Sequence, residues 1–277
     1  MDYIMRATWM IAGLAGTLIA APIAAQSTIG KPGLTGLTAA PHTSAVAQQV
    51  EARPPEPGEY ITDAGWGRLL LTKDNGALRF SVESTTGQSM CSLQGTVRGT
   101  QGSAENEAGA IGCKVQFSPV TGGIDVTTPT PMECKTLCGY NGGFEARYLR
   151  ATTGCDRNAI ARTREAFQQH YDRKDYQAAL STLSPILTRC GQTLEWDEKG
   201  DMRNDLAITQ YKTSQYTQCL ETLHDYAEDA ASPDDAVTDN WPPVLADRYL
   251  AIVRAARTNI GLCKKGLARQ RRTSHDR

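Results

Sequence analysis

The chain has 277 residues, 29 Lys and Arg against 30 Asp and Glu, and eight cysteines. A formal net charge of −1 lacks the basic excess that is typical of nucleic-acid-binding proteins, so nucleic acid is not an expected partner. In an exported chain, eight cysteines indicate disulfides rather than free thiols.

The first 25 residues have the pattern of a secretory signal peptide. Arg6 precedes an apolar run over residues 7–21, and small residues follow up to Ala25. The run is shorter than the roughly 20 apolar residues that a membrane-spanning helix needs, and it is followed by Pro22. We therefore predict cleavage near Ala25, with translation starting at Met1 or Met5. The mature chain is expected in a bacterial periplasm or secreted, without a transmembrane segment.

Residues 26–57 have the composition of a flexible linker. They are rich in Gly, Pro, Ser, Thr and Ala, show no hydrophobic period and contain no aromatic residue. Such a segment buries too little apolar surface to offset the entropy lost on ordering, so we predict a spacer without a fold of its own.

Residues 58–150 contain short, alternating apolar runs that are typical of β-strands. Asn75-Gly76 lies between two of them and favours a hairpin turn. About seven such runs predict a small antiparallel barrel or sandwich. The barrel is favoured because consecutive hairpins form a meander. The last strand pair is expected at residues 135–140 and 144–149.

From residue 153 onward the composition becomes that of helices. Leu, Ala, Arg, Gln and Glu increase and glycine becomes sparse. Internal repeats of this length are typical of stacked helix pairs. An offset of forty residues aligns the identical pairs Tyr171 and Tyr211, Tyr176 and Tyr216, Leu180 and Leu220, Thr182 and Thr222, and Leu183 and Leu223.

These segments resemble the tetratricopeptide repeat. The stretch "YDRKDYQAALSTLSPIL" is similar to the second half of one repeat, and "RNDLAITQYKTSQYTQCLETL" to the next, with Cys219 where Ala is usual. Arg257 to Gly266 resembles the first helix of a third repeat. The offset of forty exceeds the family's spacing of about thirty-four residues. The resemblance implies a helical-hairpin domain over residues 153–267 that binds peptides or proteins without chemistry, followed by a basic tail, 268–277. The expected fold class is α+β.

Two disulfides are predicted in the helical region. In a helix hairpin, the start of the first helix lies near the end of the second. Cys155 is expected at the start of the first helix and Cys190 at the end of its partner, whereas Cys219 lies near the start of the fourth helix and Cys263 near the end of the fifth. We therefore predict Cys155–Cys190 and Cys219–Cys263.

The pairing of Cys91, Cys113, Cys134 and Cys138 depends on local structure. In one strand, Cys134 and Cys138 would lie about 13 Å apart, too far for a disulfide, and each would bond to Cys91 or Cys113. In a turn or single helical turn they could bond to each other, leaving Cys91–Cys113. We favour a cross-sheet arrangement. The spacing is not that of a redox pair and no histidine lies in the β region, so no metal or cofactor is expected.

For the other candidate sites, a structural or solvent-exposed role is expected rather than a functional one. Glu105 and Glu107 are expected to be solvated acids, and Trp66, Trp196 and Trp241 to be packing residues rather than a sugar-binding surface. No hydrolase, metalloprotease or phosphate-loop motif is present.

Partner-binding residues are expected on the first helix of each pair, where Arg can recognise carboxylates through its planar fork. The leading hypothesis is a non-enzymatic interaction module that binds an envelope protein or peptide. The alternative is an inhibitor or immunity protein against a cell-wall-degrading enzyme, acting through the loop Gly99 to Gly112. The candidate partner-binding residues are Arg162, Arg203, Asn204, Arg257 and Asn259.

Overall fold

A computed structural model describes residues 53–105 and 112–275. The predicted signal peptide and linker residues 26–52 lie outside this part of the chain. The strands of the N-terminal half are β1 (Gly58–Thr62), β2 (Gly67–Asp74), β3 (Ala77–Thr86), β4 (Ser89–Arg98), β5 (Gln101–Glu105), β6 (Lys114–Val120), β7 (Gly123–Thr127) and β8 (Ala146–Arg150).

The strands form a closed antiparallel barrel in which each strand pairs with its neighbour in sequence and β1 pairs with β8. This confirms the predicted small antiparallel barrel, with eight strands in place of about seven. The β2–β3 turn is the predicted hairpin, since Asn75 and Gly76 both have positive φ, 48° and 83°. Because β1 pairs with β8, each of the eight strands described has a neighbour on both sides, and the barrel they form has no free strand edge.

Two glycines make room for the aromatic centre of the barrel. Phe80 and Phe117 pack edge to face, with ring centroids 5.4 Å apart. A Cβ on Gly95 or on Gly102 would come within 2.9 Å and 2.8 Å of the Phe80 ring. A small barrel filled by side chains needs such small residues opposite large ones.

Residues 131–138 form helix α1 (Pro131–Cys138), not the predicted strand at residues 135–140. Proline suits the first turn of a helix because its missing N–H has no intrahelical partner there. Cys134 and Cys138, four residues apart, lie on the same helix face, and both are buried in the barrel core. Cys134 is bonded to Cys113, which directly precedes β6, and Cys138 to Cys91 on β4. The favoured pairing with Cys91 and Cys113 therefore occurs, but from a helix.

The helices after the barrel pack in sequence order: α2 on α3, α3 on α4, α4 on α5, and α8 on both α4 and α5. Cys155 is bonded to Cys190 and Cys219 to Cys263, the two pairs that the sequence predicted. The helix bounds are α2 (Arg157–Asp172), α3 (Tyr176–Cys190), α4 (Trp196–Lys212), α5 (Tyr216–Thr222), α6 (Ala227–Ala231), α7 (Asp234–Thr238) and α8 (Pro243–His275).

The sequence repeat is also a repeat of local geometry. The turn between α2 and α3 contains Lys174 at φ 62°, and the turn between α4 and α5 contains Ser214 at φ 61°. These residues are forty positions apart, as the aligned sequences require. Each turn is flanked by two tyrosine rings: Tyr171 and Tyr176, with centroids 5.4 Å apart, and Tyr211 and Tyr216, 5.8 Å apart.

The third unit differs from a helix hairpin. Helix α8 continues to His275, so the described part of the predicted tail is helical. Although α8 has 33 residues, no helix within residues 53–105 and 112–275 is both long and apolar enough to span a membrane.

The glycine at position 95 gives the first prediction. Gly95→Ala should lower the free energy of unfolding by about 1–3 kcal/mol, because the added Cβ would lie 1.9 Å from the Ser103 carbonyl oxygen. Gly143→Ala is the matched control, since nothing lies within 4 Å of a Cβ there. Urea denaturation with the disulfides intact measures both. Equal effects would contradict the proposed packing.

Candidate binding cleft

A buried carboxylate joins the barrel to the helices. Glu59 on β1 accepts hydrogen bonds from Arg68 Nε (2.7 Å) and Nη2 (3.3 Å), and from the backbone N–H of Arg157 at the start of α2 (3.2 Å). The bond from Arg68 to Glu59 raises the pKa of the guanidinium. The Glu59 side chain is only 9 % exposed, and its bonds supply the partners that a buried charge requires.

A second contact holds the 3₁₀ turn Asp63–Gly65 against the segment before α4. The N–H of Ala64 donates to the Gln192 carbonyl oxygen over 2.7 Å. Gly65 has φ 75°, and a Cβ there would lie 2.5 Å from the backbone nitrogen of Glu195. Only glycine allows both this conformation and this close approach.

Between the two regions lies a cleft of about 330 Å³. Its floor is the outer face of β2, β3 and β4, where Arg68, Glu83 and Ser92 lie side by side in register. Arg157 and Glu195 line it from the helical side. A smaller recess of about 70 Å³ continues from it.

Apolar groups line the same cleft. Trp66 is half-buried at its border. Met90 is 78 % exposed, one of the most exposed large apolar side chains in the described residues. An aromatic face and a flexible thioether beside charged groups are typical of surfaces that accommodate long amphipathic side chains.

The charges around the cleft are predominantly negative. The cleft and its recess are lined by two guanidinium groups and four carboxylates, which gives a formal charge of −2. Arg68 is already bonded to Glu59 and lies 3.8 Å from Glu83. The remaining lining carboxylates are Glu195 and Glu198.

Glu195 is the carboxylate that the fold leaves available. It occupies the N-cap position of α4, yet its side chain makes no capping hydrogen bond. Burial raises its pKa, and the nearby charges of Asp197 and Glu198 add to that effect, while Arg157 opposes it. Within the described residues, no ion pair involves Glu195. A cation entering the cleft would therefore stabilise a carboxylate that Arg157 compensates only in part.

The predicted partner-binding residues are used largely inside the helical region. Arg203 forms an ion pair with Asp225 and lies over the Tyr226 ring, 5.9 Å from its centroid. Asn204 donates to the carbonyl oxygens of Gly200 and Ile252, at 3.1 Å each.

Asn259 and Arg257 have similar roles, since both hold helix α8 against its neighbours. Asn259 donates to the Asn204 side chain over 3.1 Å. Arg257 donates to the carbonyl oxygens of Ala230 and Ser232 and to Asp234.

Of the five candidate partner-binding residues, Arg162 is the exposed one, on α2. The structure does not bring these side chains to the cleft.

The other sequence candidates are dispersed. Trp196 and Trp241 pack together with Tyr249 and are not among the residues that line the cleft with Trp66. Glu105 forms an ion pair with Arg79 over 3.2 Å. Glu107 lies outside the described residues.

The loop expected over residues 99–112 is partly strand, because Gln101–Glu105 form β5. Residues 106–111 lie outside the described part of the chain. In residues 53–105 and 112–275, no group of three or more His, Cys, Asp and Glu side chains is placed to hold a metal ion.

The architecture is that of a disulfide-tied, closed β-barrel joined to a helical array, with a cleft and an adjoining recess at the junction that together are acidic. Comparison with protein-family models, curated proteins and solved structures found no match.

The raised pKa of Glu195 gives a stability prediction. The charged form of Glu195 destabilises the fold because it is partly buried, and protonation removes that charge. The destabilisation of the fold is therefore absent below the ordinary carboxyl pKa of 4.5 and complete above the folded-state pKa. Glu195→Gln should therefore raise the free energy of unfolding at pH 7 by about 0.5 kcal/mol, a value that allows for screening by solvent. Below pH 4.5, the same substitution should change the free energy of unfolding little.

Thermal or urea unfolding at several pH values measures this difference. Glu165→Gln, at an exposed position of α2, is the control that makes the same chemical change. If Glu195→Gln does not raise the free energy of unfolding at pH 7, or if Glu165→Gln raises it equally, the charge of Glu195 is compensated by a group other than those described.

Proposed function

We propose that the protein is an exported, non-enzymatic interaction module of the bacterial envelope that holds a basic side chain of a partner protein in the cleft. The observation that carries this proposal is the half-buried carboxylate of Glu195, which forms no ion pair within the described residues, in a cleft that Trp66 also lines. A Lys or Arg side chain would pair with the carboxylate while its methylene stem contacts Trp66 and Met90.

The size of the cleft supports a segment of a protein as the ligand. About 330 Å³ lies at the lower end of the range for binding sites that hold small molecules or a few side chains. The cleft lies on rigid elements, because its floor is a closed barrel and its wall is held by Glu59 and Gly65. Rigid walls reduce the entropy lost on binding.

The helical half supports the same class of function. Its hairpins repeat one turn geometry forty residues apart, and the sequence of this region resembles tetratricopeptide repeats, whose arrays bind peptides. The four disulfides are typical of a chain that folds in an oxidising compartment. They accord with the predicted signal peptide and with a periplasmic partner.

Short peptides test the proposed cleft ligand directly. Acetylated and amidated pentapeptides with a central Arg or Lys should bind about tenfold or more tightly than peptides with a central Glu or Leu. Isothermal titration calorimetry measures each affinity. Glu195→Gln should reduce binding of the basic peptides about tenfold, and Trp66→Ala by a similar factor.

Glu165→Gln is the charge-matched control and Trp241→Ala the aromatic control, and neither should change the affinity. Equal affinity for basic and acidic peptides would contradict the proposal. So would unchanged binding by Glu195→Gln. A pull-down from periplasmic extract with the wild type and Glu195→Gln then identifies the partner.

A specific surface favours the inhibitor alternative. Met132 on α1 and Tyr140, two residues after its end, are 66 % and 82 % exposed, and two disulfides fix α1 to the barrel. The Lys135 ammonium lies 4.4 Å from the centroid of the Tyr140 ring. Rigid, protruding apolar groups suit insertion into an enzyme's active-site cleft.

Inhibition assays against lysozyme and peptidoglycan amidases test this alternative. If the α1 surface is an inhibitory site, adding the protein should lower enzyme activity, and Tyr140→Ser should weaken the inhibition about tenfold. Glu195→Gln should leave inhibition unchanged, because that side chain belongs to the cleft. Full activity of the tested enzymes in excess protein would contradict an inhibitory role against them.

A further inference from the structure

The last three turns of helix α8 form a basic segment that projects from the fold. Between residues 264 and 275 the sequence has no Asp or Glu. All side chains from Ala268 to His275 are exposed. At 1.5 Å per residue, this segment is about 18 Å long. We call it the basic arm; its cationic residues are Lys264, Lys265, Arg269, Arg271 and Arg272, with His275 at its end.

The cations of the basic arm lie on one side of the helix. At 100° per residue, the five cations and His275 fall within a sector of about 160°. The opposite side holds Cys263 and Gly266, which are buried. Cys263 is bonded to Cys219, and Gly266 lies so close to Tyr216 that a Cβ would approach its ring to 2.3 Å. The basic side is therefore directed away from the rest of the protein.

These charges have no compensation within the described fold. The ion pairs of α8 use Arg248, Arg254 and Arg257, which precede the basic arm. None in residues 53–105 and 112–275 involves Lys264 or a later residue. The carbonyl end of the helix favours cations, but like charges three or four positions apart repel one another. An external anionic surface would relieve that repulsion.

We infer that the basic arm binds the surface of a bilayer rich in anionic phospholipid headgroups. A flat, extended anionic surface matches a row of cations on a straight helix about 18 Å long, whereas a small anion could contact only two or three of them. The arm has no apolar side that could insert into the acyl region, so the attraction is electrostatic and sensitive to salt. This inference is independent of the proposed cleft ligand.

Vesicle co-sedimentation of the mature protein tests the inference. The protein should bind vesicles of phosphatidylglycerol and phosphatidylcholine at low ionic strength, should not bind pure phosphatidylcholine, and should be released at about 0.5 M salt. Each cation near an anionic surface contributes a factor of about five in affinity, so Arg269→Gln, Arg271→Gln and Arg272→Gln combined should weaken binding about a hundredfold. Gln retains helix propensity.

The control is Lys73→Gln, Arg98→Gln and Lys212→Gln combined. These residues are exposed elsewhere, and the change in net charge is the same. Equal loss of binding in both triple variants would overturn the inference, as would binding to pure phosphatidylcholine or no binding to anionic vesicles. Arm-dependent retention on polyglutamate or single-stranded DNA without vesicle binding would assign the arm to an acidic polymer and also overturn it. Glu195→Gln should bind vesicles like the wild type, which separates this result from the cleft proposal.

Discussion

The hydrogen bonds of Glu59 determine how the two halves of the molecule fit together. This carboxylate lies on β1, the strand that closes the barrel against β8, and it accepts hydrogen bonds from Arg68 on β2 and from the first N–H of α2. The Ala151 N–H, just after β8, donates to the backbone carbonyl of Glu59. The start of the helical region is therefore fixed to the same residue that closes the barrel. A carboxylate at a helix N-terminus is also favoured by the helix dipole.

The cleft is a consequence of this junction. Because Arg68 is held by Glu59, its guanidinium is not available to neutralise Glu195 across the cleft. Gly65 brings the barrel so close to the start of α4 that the Glu195 side chain is half-buried rather than solvated. Packing the two regions together thus produces a half-buried carboxylate that Arg157 compensates only in part, a feature that is typical of binding sites more than of structural surfaces.

Local signals in the sequence were sufficient for the turns and for the repeat. Asn75-Gly76 forms the expected hairpin because both residues tolerate positive φ. The forty-residue offset reflects two turns of one geometry, since Lys174 and Ser214 have nearly the same φ, 62° and 61°. Helix α1 was missed because an eight-residue segment has too few residues to show a period, although Pro131 at its first turn was a helix-start signal.

The functional surfaces depended on tertiary structure and could be predicted only in part. Trp66 was expected to be a packing residue, and its proximity to Glu195 arises from a contact between residues far apart in sequence. Arg203, Asn204, Arg257 and Asn259 were expected to form a recognition surface because they lie on the first helix of each pair. Their hydrogen bonds show that those positions face neighbouring helices. A polar side chain on the first helix of a pair can serve packing as well as recognition.

The formal net charge of the chain likewise does not show where the charged side chains lie in the fold. A value of −1 suggests a protein with no electrostatic preference, yet the cleft and its recess together have a formal charge of −2, and the charged side chains of the basic arm are all cations, with one histidine at its end. At physiological ionic strength, charges farther apart than about 8 Å are largely screened from each other. A partner at either surface therefore responds to the local charge, and opposite preferences can coexist on one nearly neutral chain. This separation would allow a protein held at a membrane by its arm to keep an acidic cleft open to a basic partner.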